Sequence, residues 1–193
     1  MIEGMKDGTS TCFEPQIIPD VHLAREFAIE AHYGLVTETV SGRIRPNILH
    51  LQEVAELVQA FGGSRIEIAA AWLHDSIEDT ATTPEEIERL FSPAVADIVS
   101  GLTDDPEFFH ATIFQRKLNQ AARIRDLGRS QKLIKLADQL SNIRAIIADP
   151  PRHLNIEDCR DYLRGALLVA KQCREANEKL FSEFMKAQEP VGR

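Results

Sequence analysis

Six residues in the sequence have the types and spacing to hold a divalent cation and to activate water: His50, His74, Asp75, Glu78, Asp79 and Asp138. Asp75, Glu78 and Asp79 stand at i, i+3 and i+4, which places three carboxylates on one helical face just after the apolar run 68–73. Like charges at that spacing repel by about a few tenths of a kcal/mol per pair, and near a helix C-terminus they also face the negative end of the helix dipole. A bound cation would relieve both effects; a solvated acidic turn would simply tolerate them. Lys135, Asp138, Ser141 and Asn142 fall at i−3, i, i+3 and i+4, on a stripe separate from Leu133, Leu136 and Leu140. Taken singly, each part has an ordinary reading. An Asp–Lys pair on a helix is commonly an exposed ion pair, and a lone histidine at a helix start, as His50 is, commonly caps or packs. Together, His50, His74, Asp75 and Asp138 supply two imidazoles and two carboxylates from three helices. That nitrogen and oxygen donor set suits Mn²⁺ or Fe²⁺ and is tolerable to Zn²⁺, Co²⁺ or Mg²⁺. Glu78 and Asp79 are then left as unligated acid/base groups.

The elements that must position these groups read as helices. Residues 1–19, with Gly4, Gly8, Pro15 and Pro19, read as an N-terminal arm. From Asp20, a plausible N-cap, Ala24, Phe27, Ala28, Ala31 and Leu35 recur at helical spacing. Residues 36–47 read as a loop, and the next helix covers about 49–61, with Gly62-Gly63 as its stop. Ser64 and Glu67 form a capping box for the helix that runs into His74-Asp75; Thr83-Pro84-Glu85-Glu86 and Ser92-Pro93 open two more. A polar helix is predicted over 113–125. Another starts near Ser130, with Leu133, Leu136, Leu140, Ile143 and Ile147 inward, and ends at Asp149-Pro150-Pro151. A long final helix is predicted over 156–186, followed by a tail from 188. No alternating β-branched run and no internal repeat is present, so the class is all-α, with one domain over 20–187.

Composition narrows the function classes. The chain has 193 residues, 44% of them hydrophobic, enough for a substantial core. Lys plus Arg number 22 against 30 Asp plus Glu, a net charge of −8, which opposes binding to a nucleic-acid polymer through many phosphate contacts. A small anionic substrate fits if a metal and a few local cations supply the positive field. The three cysteines, Cys12, Cys159 and Cys173, are widely spaced without a CxxC pair, which speaks against a thiolate zinc site and for a reducing cytoplasm. No apolar stretch approaches the roughly 20 residues that span a bilayer, so no membrane role is expected. The amphipathic C-terminal segment leaves room for a homodimer.

In order along the chain, His50, then His74-Asp75-Ser76-Ile77-Glu78-Asp79-Thr80, then Thr103-Asp104-Asp105, then Lys135-Leu136-Ala137-Asp138 with Asn142 resemble the HD hydrolase domain of the Rel/Spo stringent-response proteins and the stand-alone small alarmone hydrolases. The resemblance spans roughly residues 20–185, and the stand-alone hydrolases match best because no synthetase domain follows. It implies an HD-domain helical bundle that binds one Mn²⁺ through His50, His74, Asp75 and Asp138. It also implies removal of the 3′-pyrophosphate from guanosine tetra- and pentaphosphate, or from the adenosine analogues. The residues matching Glu78 and Asp79 are assigned to the attacking water, and the one matching Asn142 to the nucleotide sugar. Tyr162 falls at the position of a family tyrosine near the phosphates, and Lys135 lies beside Asp138.

The sequence departs from that pattern in the loop before the first metal histidine. The family's Arg-Lys-x-Gly-x-Pro-Tyr run is replaced by Thr39-Val40-Ser41-Gly42-Arg43-Ile44-Arg45-Pro46-Asn47, in which Arg43 and Arg45 are the candidate substitutes for binding substrate. Pro106 and Asp158 stand where some relatives carry Lys and Arg. Two alternatives therefore stand beside the alarmone reading: an HD phosphohydrolase for another nucleotide or phosphorylated dinucleotide, and a non-catalytic nucleotide-sensing domain. Retention of all four ligand positions and both acidic partners disfavours the second. His22, His32, His110 and His153 have no partner at ligand spacing and read as surface or packing residues.

Overall fold

The structure, a computed structural model, describes residues 19–108 and 110–189. The expected arm (1–19) and tail (from 188) fall almost wholly outside the described residues. Local signals set most of the helix ends. Asp20 caps α1 (Val21–Ala31), and Ser64 with Glu67 forms the full capping box of α3 (Arg65–Leu73). Thr83 and Ser92, each followed by proline, start α5 (Pro84–Leu90) and α6 (Pro93–Leu102). Such caps satisfy amides that the first turn of a helix leaves without an internal partner. Beyond α2 (Ile48–Ala60), Gly62 takes φ +83°, a left-handed conformation that turns the chain and that other residues adopt only with strain. A single turn, α4 (Ser76–Asp79), and four further helices complete the bundle: α7 (Ile113–Arg125), α8 (Arg129–Ala148), α9 (Ile156–Cys173) and α10 (Glu178–Gln188).

The centre of the bundle is α8, which packs against α2, α3, α6, α9 and α10. Leu133, Ile134, Leu136, Ala137, Leu140 and Ile143 are fully buried along it. Each such leucine or isoleucine contributes about 1.5–3 kcal/mol of burial free energy. Lys135, Asp138, Gln139 and Ser141 are buried on the same helix. A buried polar group is costly unless partnered, and each of these has a partner: Lys135 with Asp138, Gln139 with Lys117, Ser141 with Glu53. A polar stripe inside a core marks α8 as the element that carries a site.

Four features differ from the sequence expectation. The 36–47 segment is not an open loop: β1 (Val36–Glu38) pairs antiparallel with β2 (Ile44–Pro46), with Thr37 opposite Arg45. The strands are three residues each and place Val36 and Ile44 outward, so no apolar alternation announces them. The single helix expected over 156–186 is broken. A 3₁₀ turn at Arg174–Ala176 ends α9, and Asn177 starts α10 by accepting the Leu180 amide while its own amide donates to the Phe61 carbonyl at 2.9 Å. The helix of Trp72 and Leu73 also stops short: Asp75 begins α4, so Glu78 and Asp79 lie in the first turn of a new helix and not at the end of α3. On α8, Ile146 is buried and Ile147 is 37% exposed, the reverse of the inward assignment of Ile147. Among the described residues, no helix is long and apolar enough to cross a membrane.

Candidate active site

His50, His74 and Asp75 converge on one point, and Asp138 meets them through His50. His50 lies in the first turn of α2, His74 and Asp75 at the break between α3 and α4, and Asp138 midway along α8. The Nε2 atom of His50 is 3.4 Å from Asp138 Oδ1 and 3.6 Å from Asp75 Oδ2, and His74 Nε2 is 3.2 Å from Asp75 Oδ1. Ligand atoms of His50, His74 and Asp75 all lie within 4.8 Å of one another. Donors that each sit about 2.0–2.2 Å from a common ion are separated by comparable distances.

The hydrogen bonds behind the rings fix which nitrogen is free. His74 Nδ1 is 2.8 Å from the Ala71 carbonyl, which can only accept, so Nδ1 carries the proton and Nε2 the lone pair. That Nε2 is buried with no hydrogen-bond partner. Ser141 Oγ donates to Glu53 Oε2 at 2.8 Å and therefore accepts from His50 Nδ1 at 2.9 Å, leaving the His50 Nε2 lone pair directed at the carboxylates. Lone pairs facing carboxylate oxygens repel unless a cation stands between them. Burial disfavours a charged His50, yet Asp138 and Asp75 raise its pKa above the ordinary value. Asp138 shows the same demand from the other side. Burial would raise its pKa, but Lys135 and His50 hold it well below the usual carboxylate range. The donor set and the orphaned Nε2 fit a divalent metal.

Glu78 and Asp79 border the same cavity, which measures about 280 Å³. Both side chains are exposed on the side of the cavity. Partial burial first, then the Asp104 and Asp75 charges, push the Glu78 carboxyl up to about 7. Glu78 is anchored by the Asp104 backbone amide. Burial and Asp75 raise Asp79 as well, with His32 opposing.

The cavity brings together most of the residues expected from sequence: His50, Asp75, Glu78, Asp79, Asp138, Arg45, Lys135, Asn142 and Tyr162 all line it. His74 lies just behind its wall. Arg43 is not in the lining; its guanidinium binds Asp149 at 2.9 Å and is largely exposed. Lys135 and Asn142 both contact Asp138, Lys135 by an ion pair of 3.1 Å, so each orients the Asp138 carboxylate. Reading the sequence missed Lys117, Arg116 and His32. His32 is packed at 3% exposure and also lines the cavity, with Nδ1 against the Ala28 carbonyl at 2.9 Å and Nε2 without a hydrogen-bond partner among the described residues. No spacing in the sequence singles it out, because its neighbours in the site come from other helices.

The HD-domain profile matches residues 24–159. The guanosine-3′,5′-bis(diphosphate) 3′-pyrophosphohydrolase MESH1 of Danio rerio is 35% identical over 82% of this chain and 89% of its own length. The Homo sapiens protein of the same name is 30% identical over 81% and 86%. A solved structure described as a metazoan ortholog of SpoT that hydrolyzes ppGpp superposes with a TM-score of 0.81 and 26% identity, covering 89% of this chain and 95% of that one. The chain belongs to the HD-domain family, among relatives named as guanosine-3′,5′-bis(diphosphate) 3′-pyrophosphohydrolases.

Proposed function

We propose that this protein is a Mn²⁺-dependent hydrolase that removes the 3′-pyrophosphate from guanosine tetra- and pentaphosphate. The observation that carries the reading is the convergence, in one cavity, of a metal-type donor set, two carboxylates with raised pKa values, and the cations Arg45, Arg116, Lys117 and Lys135. His50, His74, Asp75 and Asp138 would hold the metal, which when bound lowers the pKa of water and neutralises phosphoryl oxygens. The mixed imidazole and carboxylate set, without thiolates, suits Mn²⁺ or Fe²⁺, and the resemblance to the alarmone hydrolases selects Mn²⁺.

The remaining steps belong to the chain. Glu78 and Asp79 orient the attacking water and accept its proton as its oxygen bonds to the phosphorus attached to O3′. The P–O3′ bond breaks, O3′ takes up a proton, and loss of pyrophosphate leaves a nucleoside 5′-diphosphate from the tetraphosphate or a 5′-triphosphate from the pentaphosphate. The Glu78–Asp104 contact fixes the carboxylate's angle, so the base is positioned before substrate arrives. Tyr162 and Asn142 border the space for the sugar and phosphates, and Thr37, Arg45 and Asn47 border its mouth. With Arg43 engaged elsewhere, Arg45 is the hairpin cation available to substrate. A panel of guanosine and adenosine 3′-pyrophosphorylated nucleotides, ordinary nucleotides and phosphorylated dinucleotides, incubated with Mn²⁺, tests the reading. Pyrophosphate released from the 3′-pyrophosphorylated nucleotides alone is the expected result. Orthophosphate from the other substrates, or binding without turnover, would overturn it.

A further inference from the structure

Two lysines border the cavity, and their surroundings are opposite. Lys135 is ion-paired with Asp138 at 3.1 Å, so its charge is already used. Lys117, on α7, is 5% exposed and forms no ion pair among the described residues. Its Nζ donates to Gln139 Oε1 at 2.8 Å and sits 4.0 Å from the centroid of the Tyr162 ring. Gln139 in turn donates to Asp138 Oδ2 at 2.9 Å. A buried ammonium with only a neutral amide and a ring face as partners keeps an unmet demand for an anion. Its position is built, not incidental. Gly165 on α9 lies against it, and a Cβ there would come within 2.3 Å of Lys117 Cβ, so the close approach of α7 and α9 requires glycine at that point.

We infer that Lys117 is the receptor for an oxygen of the substrate's pyrophosphate group, held by Gln139 and Tyr162 at the wall of the cavity opposite no counter-ion of its own. This rests on the phosphohydrolase reading only for the class of anion. The polar surroundings agree. Burial pushes the Lys117 pKa down to about 8, while Asp138 and Asp104 pull it up and Lys135 and Arg116 push it down. An arriving phosphoryl oxygen would restore the full charge.

The test uses inorganic pyrophosphate as the probe, with the Mn²⁺-loaded 193-residue chain, by titration calorimetry at pH 7. Lys117→Met and Lys117→Gln should each weaken pyrophosphate binding about tenfold or more, while metal content and melting temperature stay near wild type. The gap between wild type and variants should narrow as pH rises from 7 to 9.5 and the free amine loses its proton. Affinity unchanged in both variants would overturn the inference. So would a gap that stays constant with pH, which would assign the loss to packing, or loss of metal in both variants, which would place the effect on Asp138 through Gln139. Because pyrophosphate is bound and not turned over, this result is separable from whether alarmones are hydrolysed.

Discussion

The proposed metal cradle and the β-hairpin beside the cavity are built on different principles. In the cradle, His50, His74 and Asp138 project from helices whose apolar faces lie in the core, and each donor is oriented by a hydrogen bond or ion pair behind it. The hairpin has almost no core of its own. It is held by polar contacts: the Ser41 hydroxyl and amide and the Arg43 guanidinium converge on Asp149, the C-cap of α8, and the Val40 amide donates to the Pro150 carbonyl at 2.9 Å. Those hydrogen bonds hold Asp149 far below the ordinary carboxylate pKa. In the proposed function, the reaction chemistry is thus tied to packing, which resists change, whereas the hairpin is tied on by a replaceable latch.

Substitutions separate the two regions. Asp75→Ala or Asp138→Ala should abolish both metal retention, by elemental analysis, and turnover; activity kept in either variant would break the ligand assignment. Glu78→Gln should keep the metal and lose roughly 10²–10⁴ in rate. Metal loss in that variant would make Glu78 part of the cradle. Ser141→Ala removes the acceptor that orients His50 and should weaken metal affinity by about 10–100-fold, read by chelator competition. On the hairpin side, Asp149→Ala should raise KM several-fold with kcat and metal content nearly unchanged. A fall in kcat as large as that of Ser141→Ala would erase the distinction between the regions.

The smallest effect is a pH trend in the metal-free protein. The Glu78 pKa is raised to about 7 from an ordinary 4.5, so the folded state binds that proton more tightly than the unfolded chain does. The resulting stability is fully present below about 4.5 and is lost as pH rises through about 7. Water in the cavity screens Glu78, which keeps the trend shallow. Melting temperature should decline over that window, and Glu78→Gln should flatten the decline.

Much of this arrangement was legible in the sequence because it follows local rules. Ser64 with Glu67, Thr83 before Pro84 and Ser92 before Pro93 mark helix starts through their own neighbours, and the helical stripe of α8 separates Asp138 from its apolar positions. The hairpin was not legible: its register is set by Asp149 and Pro151, more than a hundred residues away, and by inward-facing Thr37 and Arg45 in place of apolar alternation. The break before α10 depends on Asn177 reaching the Phe61 carbonyl, again a distant contact. Lys117 and His32 escaped for the same reason. A lysine on a polar helix and a histidine at a helix end become site residues only when Gly165 lets α7 approach and α1 is packed beside the cradle.

In the proposed reaction, water activated at the cradle attacks the phosphorus attached to O3′. Turnover of guanosine tetraphosphate with Mn²⁺ in ¹⁸O-labelled water, followed by ³¹P NMR and mass spectrometry, tests it most directly. Equal amounts of guanosine 5′-diphosphate and pyrophosphate are expected, with the label in the pyrophosphate and no turnover by the Asp138→Ala protein. Release of orthophosphate, or label in the nucleotide, would contradict it.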